Sequence, residues 1–426
     1  MGLMQKVSQV WRVKDIRKRI LFVLGLLIVF RIAAHIPVPG VDVEALKQFF
    51  DSNQVLGLLN LFSGGAMANF SIVMLGVAPY ITASIIFQLL TMIIPKLEEI
   101  QRDGEAGRAK INQWQRYLTI PLAALQAYSM IIILSKQGQG IINIVSPIQW
   151  LSTIITITAG TVFLMWLGEL ITEKNIGNGI SLIIFAGIVA RYPTQLQQTM
   201  ATFDATQVIT LIIFATIAIL TIAGVVLVTQ GQRNIPVSYA KRIRGNRMYG
   251  GVSTHLPLKV NQAGVIPIIF AISIILIPPM VAQWLVNSNI TWLASLANTT
   301  VNLFNNQIFY SAIYFTFVVA FTYFYTAVVF HPDQISENLQ KQGGFVPGIR
   351  PGRNTAEFLS YTSSRILLTG ALFLGIIAVL PYIMQATTNI TTFAIGGTSL
   401  LIVVSVVIET VKQVESQLIM RDYEGF

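Results

Sequence analysis

Apolar stretches of about 20 residues recur along the chain, with short polar segments between them. A helix of that length crosses the hydrocarbon core of a bilayer, which is about 30 Å thick. A lipid-facing strand edge or loop would leave backbone groups unpaired, so each stretch is predicted to be a transmembrane helix. The ten predicted spans cover residues 20–35, 73–94, 117–134, 151–171, 176–190, 208–228, 264–285, 309–330, 366–384 and 393–411. The pattern therefore predicts an all-α membrane protein with ten transmembrane helices.

Basic residues lie mostly on one side of this predicted topology. Of the 28 lysines and arginines, Lys47, Lys136 and Arg191 alone fall on the opposite side, and Arg31 lies inside the first span. Lysine and arginine collect in cytoplasmic loops, so both termini are predicted to be cytoplasmic.

Two pairs of similar segments divide the spans into two sets of five. LGVAPYITASIIF (75–87) and AGVIPIIFAISII (263–275) share Gly-Val-x-Pro and lie in the second helix of each set. IGNGISLII (176–184) and IGGTSLLIV (395–403) lie in the fifth. Because five is odd, the halves run in opposite directions and form an inverted repeat. The alternative is that glycine and proline are simply common in membrane helices.

This division predicts the organisation of the whole chain. Its parts are a cytoplasmic N-terminal segment (1–19), a first half (20–200), a second half (201–412) with cytoplasmic loops (229–262 and 331–365), and a cytoplasmic tail (413–426).

Composition limits the chemistry. Hydrophobic residues make up 54% of the chain and charged residues 11%. Cysteine is absent and the three histidines are far apart, which excludes a disulfide and makes a metal site improbable. No phosphate-binding loop, zinc-protease motif or catalytic constellation is present in the spans. We expect no enzymatic activity, no cofactor and no metal.

Inverted-repeat membrane proteins place their functional pathway between the halves. The repeated segments offer aliphatic side chains there, which favour an apolar constriction that excludes water by dewetting, with ordinary helix packing as the alternative. Ionisable residues in the spans are few. Arg31 is expected to extend to the outer interface, and Glu169, Glu173 and Glu409 to face an interface or a neighbouring helix.

Residues 57–71, GLLNLFSGGAMANFS, are apolar but too short to cross and are interrupted by Ser63, Gly64 and Gly65. Irregular backbone at membrane depth is tolerated where it is buried in protein or lines a cavity. This segment is predicted to re-enter the membrane as a small mobile element at the outer mouth of a pore, or to form a structured outer loop.

The cytoplasmic loops carry exposed basic positions. Gly245-Asn246 lies between short alternating arms, which predicts a hairpin tip, and glycines and prolines surround Arg350 in the other loop. The topology alone explains basic loops. Ordered basic tips favour docking to an acidic partner, either protein or RNA.

Two functions remain open at this point. The first is a passive protein-conducting channel, driven by outside partners, and the second is a secondary transporter for a small solute. A transporter needs a polar site at the membrane midplane, which this sequence lacks. A purely structural scaffold explains neither the broken segment nor the loops.

Long motifs resemble the SecY family, the pore subunit of the bacterial Sec protein-translocation channel. They are LIVFRIAAHIPVPGVD, NLFSGGAMANFSI, GVAPYITASIIFQLL, FLMWLGELITEKNIGNGISLIIFAGIVA, STHLPLKVNQAGVIP, YTAVVFHPDQISENLQKQGGFVPGIRPG and GGTSLLIVVSVVIE. The resemblance implies a clamshell of two inverted five-helix halves around a central pore, with a re-entrant plug. Polypeptide would cross through the pore or leave sideways between spans two/three and seven/eight.

The resemblance also implies site residues. The pore ring would be Val77, Ile81, Ile180, Ile184, Ile269 and Ile402. The plug would include Leu58, Leu59, Asn60, Leu61, Phe62, Ser63, Gly64 and Gly65. The lateral gate would include Gln88 and Asn261, and the docking positions would be Lys241, Arg242, Arg244, Arg247 and Arg350.

The implied location is the bacterial cytoplasmic membrane. The implied partners are the small subunits SecE and SecG, the SecA translocation ATPase, the ribosome, signal peptides, unfolded precursors and membrane lipids. The chain departs from the family pattern at Asn246, where arginine is frequent, and at Arg353, where an acidic residue is frequent.

Overall fold

The computed structural model describes residues 11–52, 60, 63–136, 146–194, 197, 208–239, 242–244, 247–249, 253–275, 277–286, 290–388 and 396–424. The helices before the first strand are α1 (Lys14–Ala33), α2 (Val43–Ser52), α3 (Ala78–Ile93), α4 (Pro95–Arg102), α5 (Glu105–Lys136), α6 (Pro147–Glu173), α7 (Gly179–Val189) and α8 (Val208–Gln230). Four strands follow, β1 (Gln232–Tyr239), β2 (Arg242–Arg244), β3 (Arg247–Tyr249) and β4 (Ser253–Lys259). The remaining elements are α9 (Ile266–Ile275), α10 (Ile277–Leu285), α11 (Thr291–Asn305), α12 (Gln307–Val329), α13 (Pro332–Lys341), β5 (Gly344–Phe345), α14 (Arg353–Thr388) and α15 (Gly396–Glu424).

The predicted membrane class is confirmed by the length and apolar character of the helices. Five described helices are long and apolar enough to cross a bilayer, and α3 with α4 would make a sixth span, bent by 104°. Shorter apolar helices cover two more of the predicted spans, at 179–194 and 266–279. The count of ten spans stays a prediction.

Several helices are longer than the predicted spans. α5 begins at Glu105, α14 begins at Arg353 and α15 continues to Glu424. An apolar run marks only the part of a helix that lies in hydrocarbon. Helical hydrogen bonding continues into water when the next residues are polar helix formers, so the tail predicted at 413–426 is largely the end of α15.

The helices pack as two groups that correspond to the predicted halves. In the first group α5 packs on α3 and α6, and α6 packs on α7 and α1. In the second group α12 packs on α9 and α14, and α15 packs on α8 and α14. The groups meet along two lines, where α7 packs on α15 and where α3 and α5 pack on α9 and α10. The arrangement is a clamshell, and we call the line where α3 and α5 meet α9 and α10 its divided side.

The repeated Gly-Val-x-Pro segments have the same local structure. Gly76 and Gly264 have φ values of 58° and 64°, in the left-handed region that favours glycine. In each case a helix begins two residues later, at Ala78 or Ile266, and the proline lies in its first turn, where no backbone donor is needed. The two segments therefore start corresponding helices in the same way, which supports the inverted repeat.

We expect Gly264→Ala to destabilise the protein by about 1–2 kcal/mol, because non-glycine residues disfavour this conformation. No heavy atom lies within 4 Å of an added Cβ, so the cost comes from the backbone alone. Gly25→Ala in α1 is the matched control: its added Cβ also meets nothing within 4 Å, and alanine favours a helix. Thermal unfolding in detergent should show a lower Tm for the first variant and an unchanged or higher Tm for the second. Equal Tm values for the two variants would contradict the left-handed conformation of Gly264.

The two predicted cytoplasmic loops form one structure. β1 pairs antiparallel with β4 along its length and with β5 at its end, where Ser238 lies opposite Phe345. The three-stranded sheet has the order β4-β1-β5. Beneath it Ile235, Leu258, Val346 and Leu359 form a small buried core. The sheet therefore fixes one loop relative to the other.

Candidate functional site

An apolar cavity of about 90 Å³ lies where α3 and α9 face each other. Its lining comes from both helix groups and from the segment before α3. The lining residues are Ser63, Met67, Leu75, Val77, Ala78, Ile81, Thr82, Gln126, Met130, Ile184, Ile269, Ile272, Ser273 and Ile277. The cavity thus lies between the halves, where the repeat predicts the functional pathway.

The six predicted ring residues lie in one apolar cluster of the structure. Four of them line the cavity, and all six belong to or pack against the same hydrophobic core. The four in the cavity are Val77, Ile81, Ile184 and Ile269; Ile180 and Ile402 pack in the surrounding core. The structure therefore brings the six together, and their role as a ring stays a prediction.

Glycine contacts bring Ile180 and Ile184 to this position. A Cβ on Gly179 would lie 1.8 Å from the carbonyl oxygen of Gly168, so α7 approaches α6 more closely than any other residue would permit. At the start of α7 the Asn178 side chain accepts a hydrogen bond from the Ser181 amide, at 3.1 Å. Ile180 and Ile184 are one turn apart and so lie on one face of the helix.

The described part of the predicted plug is folded against the cavity. The Asn60 side chain accepts a hydrogen bond from the Ala68 amide at 2.9 Å, and the Asn60 carbonyl accepts one from the Gly65 amide at 2.8 Å. Ser63 Oγ donates to the same carbonyl at 3.0 Å. Gly64 and Gly65 have left-handed φ values of 69° and 84°. The predicted glycine break is confirmed, while Leu58, Leu59, Leu61 and Phe62 lie outside the described residues.

Arg31 contacts this segment, and its predicted extension to the outer interface stays a prediction. Arg31 Nη1 donates to the Gly64 carbonyl at 2.8 Å. A Cβ on Gly64 would lie 2.7 Å from the Cα of Gly187 in α7, so the break is held between α1 and α7.

Glu169 meets a neighbouring helix, as predicted. Its Oε1 lies 2.6 Å from Arg116 Nε, which joins α6 to α5. The pair is partly exposed and lies away from the cavity lining.

The predicted gate residues lie on opposite sides of the divided line. Gln88 is in α3 and Asn261 precedes α9. Asn261 Nδ2 donates to the Gly264 carbonyl at 3.1 Å and so supports the left-handed turn. Gln88 Oε1 and Asn261 Oδ1 are buried and have no hydrogen-bond partner among the described residues. A buried oxygen without a hydrogen-bond partner costs free energy, so neither oxygen stabilises this packing.

The predicted docking residues lie at the sheet end of the molecule. Arg242 and Arg244 are in β2 and Arg247 is in β3. The two strands are antiparallel, with the backbone of Arg244 opposite that of Arg247, so the predicted hairpin is confirmed. Lys241 and Asn246 lie outside the described residues. Arg350 is exposed on a turn between two left-handed glycines, Gly348 and Gly352.

The turn that carries Arg350 is fixed by hydrogen bonds on both sides. Thr355 Oγ1 donates to the Arg350 carbonyl at 2.9 Å, and Ser336 Oγ donates to the Gly352 carbonyl at 2.6 Å. Arg353, which departs from the family pattern, forms an ion pair with Glu357 at 3.0 Å. The turn therefore presents Arg350 from a rigid base.

Sequence reasoning missed part of the cavity wall. Ile272 and Ser273 continue the face of Ile269 along α9 and could have been found from helical spacing. Gln126 and Met130 reach the cavity from α5, whose sequence carries no repeat or motif at these positions. Their contribution depends on how α5 packs.

The fold and the site together define a polytopic membrane protein with an apolar cavity between two helix groups, walled in part by a folded-in segment. That arrangement is typical of membrane channels. Comparisons with known proteins agree with this class. A model of the SecY family matches residues 71–411, and the chain belongs to the SecY family.

Similar proteins cover nearly the whole chain. Protein translocase subunit SecY of Mycobacterium bovis is 46% identical over 97% of this chain and 98% of its own length. The Corynebacterium glutamicum protein of the same name is 45% identical over 99% of each chain. The family is one of multi-pass proteins of the bacterial cytoplasmic membrane.

Solved structures show the same fold at low sequence identity. A structure of a protein-conducting channel matches with a TM-score of 0.63 and 19% identity, covering 92% of this chain and 90% of that one. Sec61 in the canine ribosome-channel complex matches with a TM-score of 0.59, 19% identity and the same coverage.

Proposed function

We propose that this chain is the central pore subunit of a protein-conducting channel. It passes unfolded polypeptides across the bacterial cytoplasmic membrane and releases apolar helices sideways into lipid. The observation that carries this proposal is the apolar cavity between the two helix groups, lined by four of the six predicted ring residues and by the plug.

The cavity lining suits a chain of any sequence better than a polar solute. Among its polar side chains, three hydroxyls donate to carbonyls of their own segment: Thr82 to Ala78, Ser273 to Ile269, and Ser63 to Asn60. These groups offer little to a polar ligand, and the rest of the wall is almost entirely aliphatic. A solute transporter would need convergent polar groups, so the transporter hypothesis is not supported.

The closed state excludes ions by two barriers. A narrow aliphatic ring dewets, because water there loses hydrogen bonds without gaining partners. The plug adds a second barrier, since Met67 and Ser63 form part of the same cavity wall. Polypeptide entry would displace the plug and leave the ring to fit around the moving chain.

The divided side of the clamshell is the proposed lateral gate. There α3 and α5 meet α9 and α10, while α7 and α15 join the halves on the opposite side. The unpaired oxygens of Gln88 and Asn261 weaken the closed packing. An apolar signal helix that enters between α3 and α9 would replace the contact between these two helices with its own apolar surface.

Energy for movement would come from outside partners. The sheet end of the molecule presents Arg350 on a rigid turn and the β2–β3 hairpin beyond the membrane helices. Basic tips of this kind suit acidic surfaces of a ribosome or of the SecA ATPase. SecE and SecG would cover helices of the bundle, and both termini would lie on the sheet side.

A stalled precursor tests the pore. Photoreactive residues at Ile81 and Ile402 are expected to crosslink to a secretory precursor halted midway, because Ile402 lies in the central core and Ile81 packs against it. Met92 in α3 and Val407 in α15 are matched controls, since they lie on the same helices with exposed side chains. Crosslinks at the control sites alone would contradict the pore, and solute uptake without crosslinks would favour a transporter.

Arg350→Glu is expected to weaken docking of the ribosome or of the ATPase about tenfold, or ~1.4 kcal/mol. The cause is replacement of an attractive charge by a repulsive one on a turn that does not move. Binding to channel-containing vesicles at low and high salt is the measurement, and the effect should shrink at high salt. Arg353→Gln is the control: this arginine is also exposed but already paired with Glu357. Equal losses for both variants would argue against a specific contact.

A further inference from the structure

α11 is a helix of 15 residues in the connection between α10 and α12. Its sequence, TWLASLANTTVNLFN, contains no charged residue. β4 precedes α9 and α10, so α11 follows a passage through the bundle and lies at the end opposite the sheet. The helix falls within the predicted outer loop between spans seven and eight, where no helix was expected.

Three different faces run along α11. One face is held by protein: Ala297 is buried, and the Phe304 ring lies 5.8 Å from the ring of Phe309 in α12. The second is exposed and apolar, with exposed fractions of 62% for Trp292, 58% for Leu296 and 44% for Leu303. Spacings of four and seven residues place these three side chains in one stripe.

The third face is exposed and polar. Ser295, Asn298 and Asn302 are exposed, and their spacings of three and four residues place them in a second stripe. At about 100° per residue, the apolar stripe lies between the buried face and the polar stripe. In water, the exposed apolar stripe would cost free energy. In a buried helix, the polar stripe would leave polar groups without partners. Neither environment alone fits both stripes of α11.

We propose that α11 lies along the outer membrane surface, with Trp292, Leu296 and Leu303 against lipid at the boundary between headgroups and acyl chains. The polar stripe then faces water and the buried face stays on the bundle. Tryptophan favours this boundary, and a helix with these faces lies in the interface plane.

Continuity with the membrane surface supports lipid as the occupant. α12 begins two residues after α11, and Ile308 at its start is 82% exposed, so lipid-facing surface starts beside the stripe. Between the helices the Asn306 side chain accepts hydrogen bonds from the Ile308 and Phe309 amides at 3.0 and 3.3 Å. This cap sets the angle at which α11 leaves the span.

The position of α11 connects the proposed lateral gate to the outer leaflet of the membrane. α11 packs on α10, which together with α9 forms one wall of the divided side. The outer leaflet therefore holds that wall through α11, and opening of the wall moves a helix that is attached to lipid.

Spin labels on single cysteines test the orientation, because the chain has no cysteine of its own. The channel is reconstituted in vesicles of phosphatidylethanolamine and phosphatidylglycerol, and each label is probed with oxygen and with a water-soluble nickel chelate. Labels at Leu296→Cys and Leu303→Cys are expected to favour oxygen several-fold over nickel. Labels at Asn298→Cys and Asn302→Cys are expected to favour nickel.

A label known to lie on a lipid-facing helix provides the reference value for hydrocarbon. Leu220→Cys in α8, which is 65% exposed on an apolar helix, gives the value for a label in hydrocarbon. Nickel access at Leu296 equal to that at Asn298 would overturn the proposal, because the stripe would face water. Shielding from both reagents at Leu296 and Leu303 would also overturn it, because protein would cover the stripe.

Discussion

Ile184→Asn is expected to make the resting channel leak ions. Ile184 is 1% exposed and forms part of the almost entirely aliphatic cavity wall, so the new amide would be poorly paired without water. An unpaired buried amide costs about 1–3 kcal/mol, and entry of water relieves that cost. A free-energy change of this size shifts an equilibrium by roughly 5- to 150-fold, so resting conductance should rise about tenfold or more. Current across planar bilayers containing the purified channel, without precursor, is the measurement.

The matched control for this variant is Ile188→Asn. Ile188 is on the same helix one turn later, is 3% exposed, and is not part of the cavity wall. Both substitutions should lower Tm by similar amounts, because both bury an amide in the same core. Leakage in both variants would mean that general loosening opens the channel, and leakage in neither would contradict the assignment of Ile184 to the barrier.

Arg31→Gln is expected to loosen the plug. The Arg31 guanidinium donates to the Gly64 carbonyl at 2.8 Å, and a hydrogen bond from a charged group contributes about 1.5–3 kcal/mol. The shorter glutamine cannot reach the same carbonyl from α1. The plug should therefore leave the cavity about tenfold more often, since 1.4 kcal/mol corresponds to a factor of ten. Arg31→Lys should give an intermediate result, because lysine keeps the charge but lacks the planar fork.

Labelling of a plug cysteine measures this opening. Met67→Cys is buried in the closed state at a position that is 3% exposed, and it is the single cysteine in the chain. A membrane-impermeant maleimide added from outside should react faster when Arg31→Gln is also present. Lys47→Gln is the control, because it removes an exposed cation from the helix before the plug. An unchanged rate with Arg31→Gln would show that the contact does not hold the plug.

Much of the site follows from local sequence. The Gly-Val-x-Pro repeat marks two glycines that both have left-handed φ values, and Val77, Ile81 and Ile269 follow within five residues of them. A left-handed turn needs glycine and a helix start accepts proline, so a short motif is enough to identify such a start. The interruption at Gly64 and Gly65 is identifiable for the same reason.

Other parts depend on contacts between distant segments. Nothing around Arg31 in the sequence indicates Gly64 as its partner, and nothing around Gln126 indicates the cavity. β5 pairs with β1 across more than a hundred residues, which joins the two predicted cytoplasmic loops, and neither loop's sequence indicates this pairing. α11 was missed because its apolar residues are interrupted too often to form a span, and its asparagines and threonines are typical of a loop.

The amino-acid sequence is sufficient for the membrane class, for the approximate spans and for the pairing of the two halves. These properties depend on the composition of segments and on the conformations that glycine and proline permit, both of which can be read locally. The closure of the cavity, the partner of Arg31, the joined sheet and the placement of α11 depend on which surfaces meet. Those contacts are set by the packing of the whole bundle, because the free energy of each depends on the neighbours that surround it.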